Sequence, residues 1–398
     1  AQKALAQLPT STRDVKTWLE RETKRHESLL EKFYENHGGI PASDWLNWIV
    51  SGTDACTVGP AVDEGRYVIA GYHWFEVWGR DSFISLPGLM LVTGRFDDAK
   101  EVFLLFKKNC LHGLIPNFLP DQRAPAAYNA VDATLWFVNA VFQYVKYTGD
   151  FRFVREQLCE SLKTMTTSHL KGTDFDIRLD TDGLLSHGPR LTWMDAVVGG
   201  QPATPRGGKA VEVQALWYNA LRIMALLGDR FKERSEAERY LQIADKTRDA
   251  FAEKFWNAER GCLFDVIDEN GKDGSLRPNQ IVAVALDFPM LDKAKSKKIV
   301  DVVEREFLTP YGLRTLARND PKYAGAYEGD RGRRDRAYHN GTVWPWLLGP
   351  FVTAFLKTMG NTDNNRMFAL NNCVLPLLNN QISKTALGTV NEIFDGEP

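Results

Sequence analysis

The chain has 398 residues, of which 44% are hydrophobic and 25% charged, and its net charge is −2 at pH 7. This composition is typical of a globular protein with a sizeable core. The balanced charge excludes a strongly basic protein of the kind that binds nucleic acid or anionic membranes, so we expect a neutral partner, no nucleic acid and no membrane.

The cysteines and the chain start are informative about location. The five cysteines are scattered and contain no C-x-x-C pair, which indicates reduced thiols in a cytoplasmic protein rather than a disulfide framework. The first ten residues lack the pattern of a secretory signal. The longest apolar stretch, residues 343–356, is interrupted by Pro345 and Pro350 and is too short to cross a bilayer.

A recurring pattern along the chain predicts pairs of antiparallel helices. After a first helix near residues 15–36, apolar segments end repeatedly in a glycine that is followed closely by a new helix start, at Gly94, Gly149, Gly228 and Gly360. A glycine in this position predicts a left-handed helix cap. A fifth turn is predicted at residues 288–290, with Asp292 as the N-cap of the next helix.

The helix that enters each turn is more apolar than the helix that leaves it. Residues 83–92, 133–145, 211–227 and 342–356 are hydrophobic nearly all round, whereas residues 97–108 and 152–162 are amphipathic. This alternation predicts an inner ring of helices wrapped by an outer ring, an all-α (α/α)6 barrel. We count eleven helices, so the last helix of a closed barrel is expected to be missing from the chain. Residues 1–50 are predicted to be a leader with the first outer helix, and residues 51–398 the remainder of a single catalytic domain.

Long segments rich in glycine and proline precede the apolar helices, at residues 52–81, 111–130, 172–208, 257–277, 307–341 and 382–398. We expect them to gather at one end of the barrel and to carry the function. Aromatic rings stack on the C–H faces of sugars, and polar side chains pair with sugar hydroxyls. Helix caps and loop hydrogen bonds explain single residues of this kind but not clustered tryptophans. The predicted sugar-binding residues are Trp78, Arg80, Asp81, Asn129, Asp132, Trp193, Lys209, Glu212, Gln280, His339 and Trp344.

Glycoside hydrolysis needs two carboxyls on either side of the scissile bond, one protonated and one ionised. Asp195 is predicted to be the general acid, because its apolar neighbours disfavour the charged form and raise its pKa. Glu392 in the last loop is predicted to be the general base. A structural loop aspartate and a solvated surface glutamate are the alternative explanations. The rival carboxylates are Asp81, Glu212, Glu328, Asp330 and Asp335, of which Asp81 suits hydroxyl binding because Arg80 keeps it ionised.

Other chemistries have weaker signals. The Gly207-Gly208-Lys209 run hints at an anion site but lacks the spacing of a P-loop. Neither a Rossmann glycine motif nor a G-x-S-x-G elbow is present. Four histidines fall in the long segments, His73, His112, His187 and His339, without the spacing of a metal site. No metal and no cofactor is therefore predicted.

Six motifs together carry a resemblance to a known family. They are W-G-R-D at residues 78–81, Y-N-A-V-D-A-T-L-W at 128–136, H-G-P-R-L-T-W-M-D-A at 187–196, L-R-P-N-Q at 276–280, Y-H-N-G-T-V-W-P-W at 338–346 and N-E-I-F-D-G at 391–396. In this order they resemble the C-terminal amylo-α-1,6-glucosidase domain of bacterial and archaeal glycogen debranching enzymes, over residues 50–398. Members of that family usually carry an N-terminal β-rich domain and continue past the last motif into another helix.

The resemblance implies an (α/α)6 barrel like that of glucoamylases. It also implies an inverting, exo-acting α-1,6-glucosidase that removes branches from glycogen or maltodextrin, a glycoside hydrolase of carbohydrate metabolism. Carried over by motif, Asp195 is the general acid and Glu392 the general base, and Arg80 with Asp81 resembles the pair that holds the terminal glucose in glucoamylase-like enzymes.

Three alternatives stay open on the sequence alone. The same fold serves a trehalase-like or glucoamylase-like glucosidase. A second alternative is that the chain lacks its last helix and is a non-catalytic glucan-binding domain. The histidines of the long segments suggest, more weakly, a sugar isomerase on the same barrel. Linkage preference and oligomeric state do not follow from the sequence.

Overall fold

A computed structural model describes residues 12–59, 65–71, 75–120, 124–384 and 388–397, and the described chain is mainly helical. The α-helices are α1 Thr12–Asn36, α2 Asp44–Ala55, α3 Gly79–Leu86, α4 Phe96–Lys108, α5 Ala133–Thr148, α6 Phe151–Phe153, α7 Cys159–Lys171, α8 Val211–Arg230, α9 Arg234–Lys254, α10 Val282–Ala285, α11 Lys293–Phe307, α12 Arg331–Ala337, α13 Leu348–Met359, α14 Asp363–Ala369 and α15 Leu375–Asn380. Helical turns of π type, Pro87–Leu91, Val154–Leu158 and Leu370–Val374, extend α3, join α6 to α7 and join α14 to α15. Short 3-10 turns lie at Asp174–Asp176, Pro278–Ile281 and Pro345–Leu347.

The strands are two or three residues long and lie in the connections between helices. They are β1 Thr57–Val58, β2 Tyr67–Val68, β3 Val77–Trp78, β4 Phe118–Leu119, β5 Arg178–Leu179, β6 Leu185–Ser186, β7 Val197–Val198, β8 Gln201–Pro202, β9 Lys209–Ala210, β10 Trp256–Asn257, β11 Cys262–Leu263, β12 Val266–Asp268, β13 Gly271–Asp273, β14 Leu308–Thr309, β15 Gly312–Arg314 and β16 Val343–Trp344. All pairings are antiparallel, in two-stranded pairs and in two three-stranded sheets ordered β13-β12-β9 and β14-β15-β16. These short sheets fix the loops that precede the buried helices.

Apolar helices form the core in the order in which they occur. Helix α3 packs on α5, α5 on α8, α8 on α10, and α10 on α13. Twelve of the 16 residues of α5 and 16 of the 20 residues of α8 are buried, as predicted for inner helices. Helix α9 covers α8 with one face only, since its buried positions recur every three or four residues. Closure of this arc of helices into a six-pair barrel remains a prediction.

Phenylalanines illustrate how an outer helix is attached to the inner ones. The fully buried ring of Phe83 in α3 meets Phe106 of α4 and Phe137 of α5 edge-on, with centroids 4.8 and 4.9 Å apart. Aromatic pairs in this arrangement contribute about 0.5–1.5 kcal/mol beyond the area they bury. The packing therefore holds the N-terminus of α3, where two candidate site residues lie.

Most predicted turns are confirmed. Gly94, Gly149 and Gly360 follow helices with φ of 73°, 67° and 98°. Asp292 accepts a hydrogen bond from the backbone N–H of Lys295 and caps α11. The predicted cap at Gly228 is wrong, because α8 continues to Arg230.

The true reason for Gly228 is close packing between two helices. A Cβ at this position would approach the Cβ of Ala237 in α9 to 3.2 Å. The left-handed residue of this turn is instead Lys232, with φ of 66°.

Three helix assignments differ from the sequence pattern. Helix α13 begins at Leu348 rather than near residue 342, because Val343 and Trp344 pair with β15 as strand β16. Helices α2 and α12 fall in segments where the pattern predicts none.

All five cysteines are free thiols. Among the described helices, none has the length and apolar character needed to span a bilayer. The signal-free start, predicted from residues 1–10, lies outside the described residues.

Candidate active site

Arg80 is the centre of a cluster of carboxyls at the start of α3. Strand β3 pairs Trp78 with Phe118, and the helix begins at the next residue. Gly79 is required there, since a Cβ would collide with the carbonyl oxygen of Pro116. The local fold therefore places Arg80 and Asp81 in the first helical turn, beside the second long segment.

The guanidinium of Arg80 joins three parts of the chain. Its Nε donates to both carboxylate oxygens of Asp132, at 3.0 and 2.9 Å. Its Nη1 lies 3.2 Å from Oδ2 of Asp195, and its Nη2 donates to the carbonyl of Leu191. Asp132 occupies the N-cap position of α5 and is 1% exposed. Arg80 thus holds the segment that carries Asp195 against the starts of α3 and α5.

Asp195 combines an accessible face with a strongly desolvated environment. About a third of its side chain is exposed, 31%, although protein surrounds the rest. Burial raises the pKa of Asp195, the charge of Arg80 acts in the opposite direction, and the nearby Asp132 raises it further. A carboxyl of this kind keeps its proton to higher pH than a solvated aspartic acid.

Glu392 faces the same region from the last segment of the chain. Its carboxyl interacts electrostatically with the phenol of Tyr338, the residue that follows α12. Burial raises the pKa of Glu392, the interaction with Tyr338 lowers it, and the charge of Asp81 raises it. Tyr338 also interacts electrostatically with Asp195, so one phenol lies within range of both carboxyls.

Asp81 interacts electrostatically with both predicted catalytic carboxyls, Asp195 and Glu392. Burial raises the pKa of Asp81 and Arg80 lowers it, while Asp195 and Asp132 raise it again. Asp81 in turn raises the pKa of Glu392. Asp81, Asp195 and Glu392 therefore form one interacting set of carboxyls, whose protonation states depend on one another.

Aromatic side chains pack around Trp193, two residues before Asp195, and form one wall of aromatic rings. Trp193 packs nearly perpendicular to the rings of His339, Trp344 and Trp346, with centroids 5.2–5.3 Å away. The imidazole of His339 stacks on Trp344. Burial and three surrounding arginines hold the pKa of His339 well below its usual range, so the ring is neutral. Within the described residues, neither ring nitrogen of His339 has a hydrogen-bond partner.

A buried ionic network supports this wall from below. Arg206 donates to Glu212 at 2.6 Å and to Asp265 at 2.7 Å, and all three side chains are at most 3% exposed. Asn279 donates to Asp265 and accepts from the indole N–H of Trp193 at 2.9 Å. The orientation of the Trp193 ring therefore depends, through Asn279, on the buried charges of Asp265 and Arg206.

The remaining predicted sugar-binding residues differ in how far they are exposed. Trp78 is half-buried against Phe118, with ring centroids 5.0 Å apart, and Asn129 is also half-buried. Gln280 is buried and bonds to the backbone of Leu263 and Arg277.

Lys209 and Glu212 have ionic partners within the protein. Lys209 pairs with Asp180 and Asp182, each at 2.7 Å, and Glu212 pairs with Arg206. These contacts are those of supporting residues, and a direct sugar contact for Gln280, Lys209 and Glu212 remains a prediction. The aromatic run at Tyr72, His73 and Trp74 lies outside the described residues.

Sequence reasoning missed two residues that the site depends on. Asp265 was not singled out, although an isolated acid within the apolar run at residues 262–267 signals a buried ionic partner. Tyr338 belongs to a recognised motif, but nothing in the sequence links it to Glu392. Among the described residues, no three His, Cys, Asp or Glu side chains are grouped as a metal ion would require; that no metal or cofactor is used stays a prediction.

Comparisons with known proteins agree with the motifs. The family described as amylo-alpha-1,6-glucosidase matches residues 50–398. The glycogen debranching enzyme of Saccharomyces cerevisiae is 30% identical over 71% of this chain, which corresponds to 24% of that enzyme. The N,N'-diacetylchitobiose phosphorylase of Vibrio furnissii is 23% identical over 54% of this chain and 28% of its own length. The chain spans about a quarter of the length of these curated relatives.

Proposed function

Because the chain belongs to the amylo-alpha-1,6-glucosidase family and is thereby a glycoside hydrolase, we propose that it is an inverting, exo-acting α-1,6-glucosidase that removes branch residues from glycogen or maltodextrin. Asp195 is the general acid and Glu392 the general base. One observation carries the proposal: two desolvated carboxyls, from segments nearly two hundred residues apart, interact with the same phenol.

Asp195 is suited to give a proton to the glycosidic oxygen. Burial raises its pKa and thereby favours the protonated form, and its exposed face is open to a bound sugar. The charge of Arg80 lowers the pKa of Asp195, opposes the effect of burial and favours release of the proton during the reaction. After the bond breaks, the same guanidinium stabilises the carboxylate that forms.

Glu392 is suited to accept a proton from water. Burial raises the pKa of Glu392, which makes the ionised carboxylate a stronger base, and the interaction with Tyr338 favours the charged form. Attack from the face opposite the leaving group inverts the anomeric centre and requires the two carboxyls to stand about 6.5–9.5 Å apart. The expected first product is therefore β-glucose.

The surrounding side chains suit a neutral sugar. The exposed faces of Trp78 and Asn129 offer a stacking surface and an amide, and Asp81 offers a carboxylate for sugar hydroxyls. Trp193, Trp344 and His339 exclude water from one side of Asp195, which strengthens its interactions with a developing charge. We assign Asp132 to the positioning of Arg80, because it is buried and fully engaged there.

The architecture and location that accompany this function are also proposals. Residues 51–398 form a single catalytic domain in which the arc of buried helices belongs to an (α/α)6 barrel, and residues 1–50 contribute its leader and first outer helix. The thiol state of all five cysteines supports a cytoplasmic location.

The test measures glucose release from a branched limit dextrin and from isomaltose, maltose and trehalose. We expect α-1,6 substrates to be preferred, and Asp195→Asn and Glu392→Gln each to lower kcat at least a thousandfold. Asp301→Asn, at an exposed ion pair with Lys297, is the matched control and should retain activity. Proton NMR of the fresh product identifies the anomer.

The possible outcomes separate the alternatives. Near-normal activity of both carboxyl variants contradicts the assignment of the acid and base. A preference for trehalose or maltose would instead identify a trehalase-like or a glucoamylase-like glucosidase. Binding of an oligosaccharide by the unmodified protein, detected by calorimetry without glucose release from any substrate, would identify a glucan-binding domain.

A further inference from the structure

Resting on the proposed function, we propose that Thr192 is a positioning residue for Asp195: its hydroxyl ties the backbone turn that carries Asp195 to the buried guanidinium of Arg206. Thr192 is 1% exposed and contacts no sugar in this proposal, so it acts through the general acid. The contact sets where the proton of Asp195 stands relative to the glycosidic oxygen.

The Thr192 hydroxyl joins a distant side chain to the backbone of its own loop. Its Oγ1 accepts a hydrogen bond from Nη1 of Arg206 at 3.1 Å and a longer one from the backbone N–H of Met194 at 3.4 Å. A hydroxyl oxygen has two acceptor sites, so both bonds form at once. Met194 directly precedes Asp195, and the second bond therefore closes a short turn at the base of the catalytic carboxyl.

Arg206 is a fixed reference point because other elements determine its position. Its Nε and Nη2 donate to the two carboxylate oxygens of Asp265 at 2.7 and 3.0 Å. Its Nη2 also donates to Glu212, in the first turn of α8, at 2.6 Å. Nη1 donates to the same glutamate and has its second N–H for Thr192. The planar guanidinium is thus oriented by two buried carboxylates before it meets the loop.

Trp193, the next residue, is connected to the same network by a second path. Its indole N–H donates to Oδ1 of Asn279 at 2.9 Å, and the amide of Asn279 donates to Asp265 at 2.8 Å. Asp265 therefore holds both Arg206 and Asn279. The two residues at the start of the turn are anchored, through different partners, to one buried carboxylate.

The two ends of this segment are held by the backbone. The N–H of Val131 donates to the carbonyl of Leu191 at 2.9 Å, and the N–H of Ala203 donates to the carbonyl of Ala196 at 2.9 Å. Between these anchors, the Thr192 hydroxyl defines the path of the chain toward the proposed general acid.

Removal of the hydroxyl leaves two buried donors without their acceptor. Thr192→Val retains the shape of the side chain, but an N–H of Arg206 and the N–H of Met194 lose Oγ1. Unpaired buried donors are unfavourable, so we expect the turn to shift toward other acceptors. A displacement of about 1 Å at a catalytic group lowers the rate about a hundredfold. Sugar contacts made by other segments should keep the affinity nearly unchanged.

The experiment compares hydrolysis of isomaltose with that of α-glucosyl fluoride, whose leaving group departs as fluoride and needs little help from a general acid. In Thr192→Val we expect kcat for isomaltose to fall about 10- to 100-fold with KM nearly unchanged. The loss for α-glucosyl fluoride should be about threefold or less. Thr192→Ser keeps the hydroxyl and should retain isomaltose activity to within about threefold of the unmodified chain.

Thr166→Val is the matched control, because this buried threonine bonds within α7, to the carbonyl of Leu162 at 2.8 Å, and should keep full activity on both substrates. Equal losses on the two substrates in folded Thr192→Val, unchanged hydrolysis of isomaltose, or an equal loss in Thr192→Ser overturns the inference. If Thr192→Val does not fold, Thr192→Cys takes its place, since sulfur is a weak acceptor, and activity equal to that of Thr192→Ser overturns it.

Asp195→Asn distinguishes the two levels of the argument. If it hydrolyses isomaltose normally, the proposed function fails and the role of Thr192 with it. If it is inactive on isomaltose while Thr192→Val is unaffected, the general acid stands and only the role of Thr192 is rejected.

Discussion

Replacement of Asp132 by asparagine tests how the ion pair between Asp132 and Arg80 affects protein stability and the pKa of Asp195. Asp132 accepts two hydrogen bonds from Nε of Arg80 and is 1% exposed, so the change removes a buried negative charge without changing the shape of the side chain. Two effects on Asp195 follow, and they have the same sign. The charge of Asp132 no longer raises its pKa, and Arg80 is freer to lower it.

The stability cost follows from the burial of the ion pair. Removing one partner of a buried pair costs about 3–5 kcal/mol, and we expect about 3 because the amide keeps one acceptor and Asp195 still faces Arg80. Unfolding entropy of about 2.1 cal/mol/K per residue amounts to about 0.8 kcal/mol/K for this chain, so Tm should fall by about 4 °C. Asp301→Asn, which loses an exposed pair with Lys297, should cost less than about 1 kcal/mol.

Two measurements test this reasoning together. Calorimetry or urea unfolding gives the stability change, and the pH profile of kcat/KM gives the basic limb, where Asp195 must keep its proton. A lower pKa of Asp195 moves this limb to lower pH in Asp132→Asn. A basic limb that stays in place or moves to higher pH would refute the electrostatic link, and a loss of stability no larger than that of Asp301→Asn would refute the buried pair.

Two further predictions concern positions away from the reacting groups. Arg206→Met leaves Glu212 and Asp265 buried without their main cation, and we expect a loss of about 3–5 kcal/mol in urea unfolding, against no change if the network is unimportant. Gly149→Ala places a side chain at φ 67° where no other atom lies within 4 Å, so only backbone strain acts and the loss should be about 1 kcal/mol. Gly349→Ala, equally unobstructed but inside α13, should instead stabilise by about 0.5–1 kcal/mol, and equal effects at both positions would contradict the argument.

The helices could be predicted where local chemistry decides them. The apolar pattern and the following glycine are sufficient for the end of α5 at Gly149, because the cap needs only a residue that tolerates positive φ. A similar apolar segment ends at Gly228, but this glycine is needed because α9 approaches α8 closely there. A local sequence pattern does not show such a contact between helices. At residues 342–347 the apolar pattern suits a helix, but pairing with β15 takes Val343 and Trp344 into a strand. Tertiary contacts override local preference in both places.

The site divides in a similar way. Asp195 and Glu392 could be chosen from the sequence because motifs and apolar neighbours mark them. Their surroundings depend on contacts distant in the chain: Arg80 meets Asp195 across 115 residues, and Trp193 meets Asn279 across 86. The roles of Lys209 and Glu212 look different once their ionic partners are visible, because a sequence does not tell whether a charged side chain is already neutralised.

The charges around Arg80 favour the retention of a proton among the neighbouring carboxyls. Arg80 faces three carboxyls, those of Asp81, Asp132 and Asp195, and Asp81 also repels Glu392. One guanidinium balances one negative charge, and Asp132 has the closest contacts to it. Full ionisation would leave several negative charges in a desolvated region, so the free energy is lowest when one of the remaining carboxyls keeps its proton. A bound sugar would exclude more water and strengthen this preference. In the proposed mechanism, the proton is then held most firmly in the complex whose glycosidic oxygen receives it.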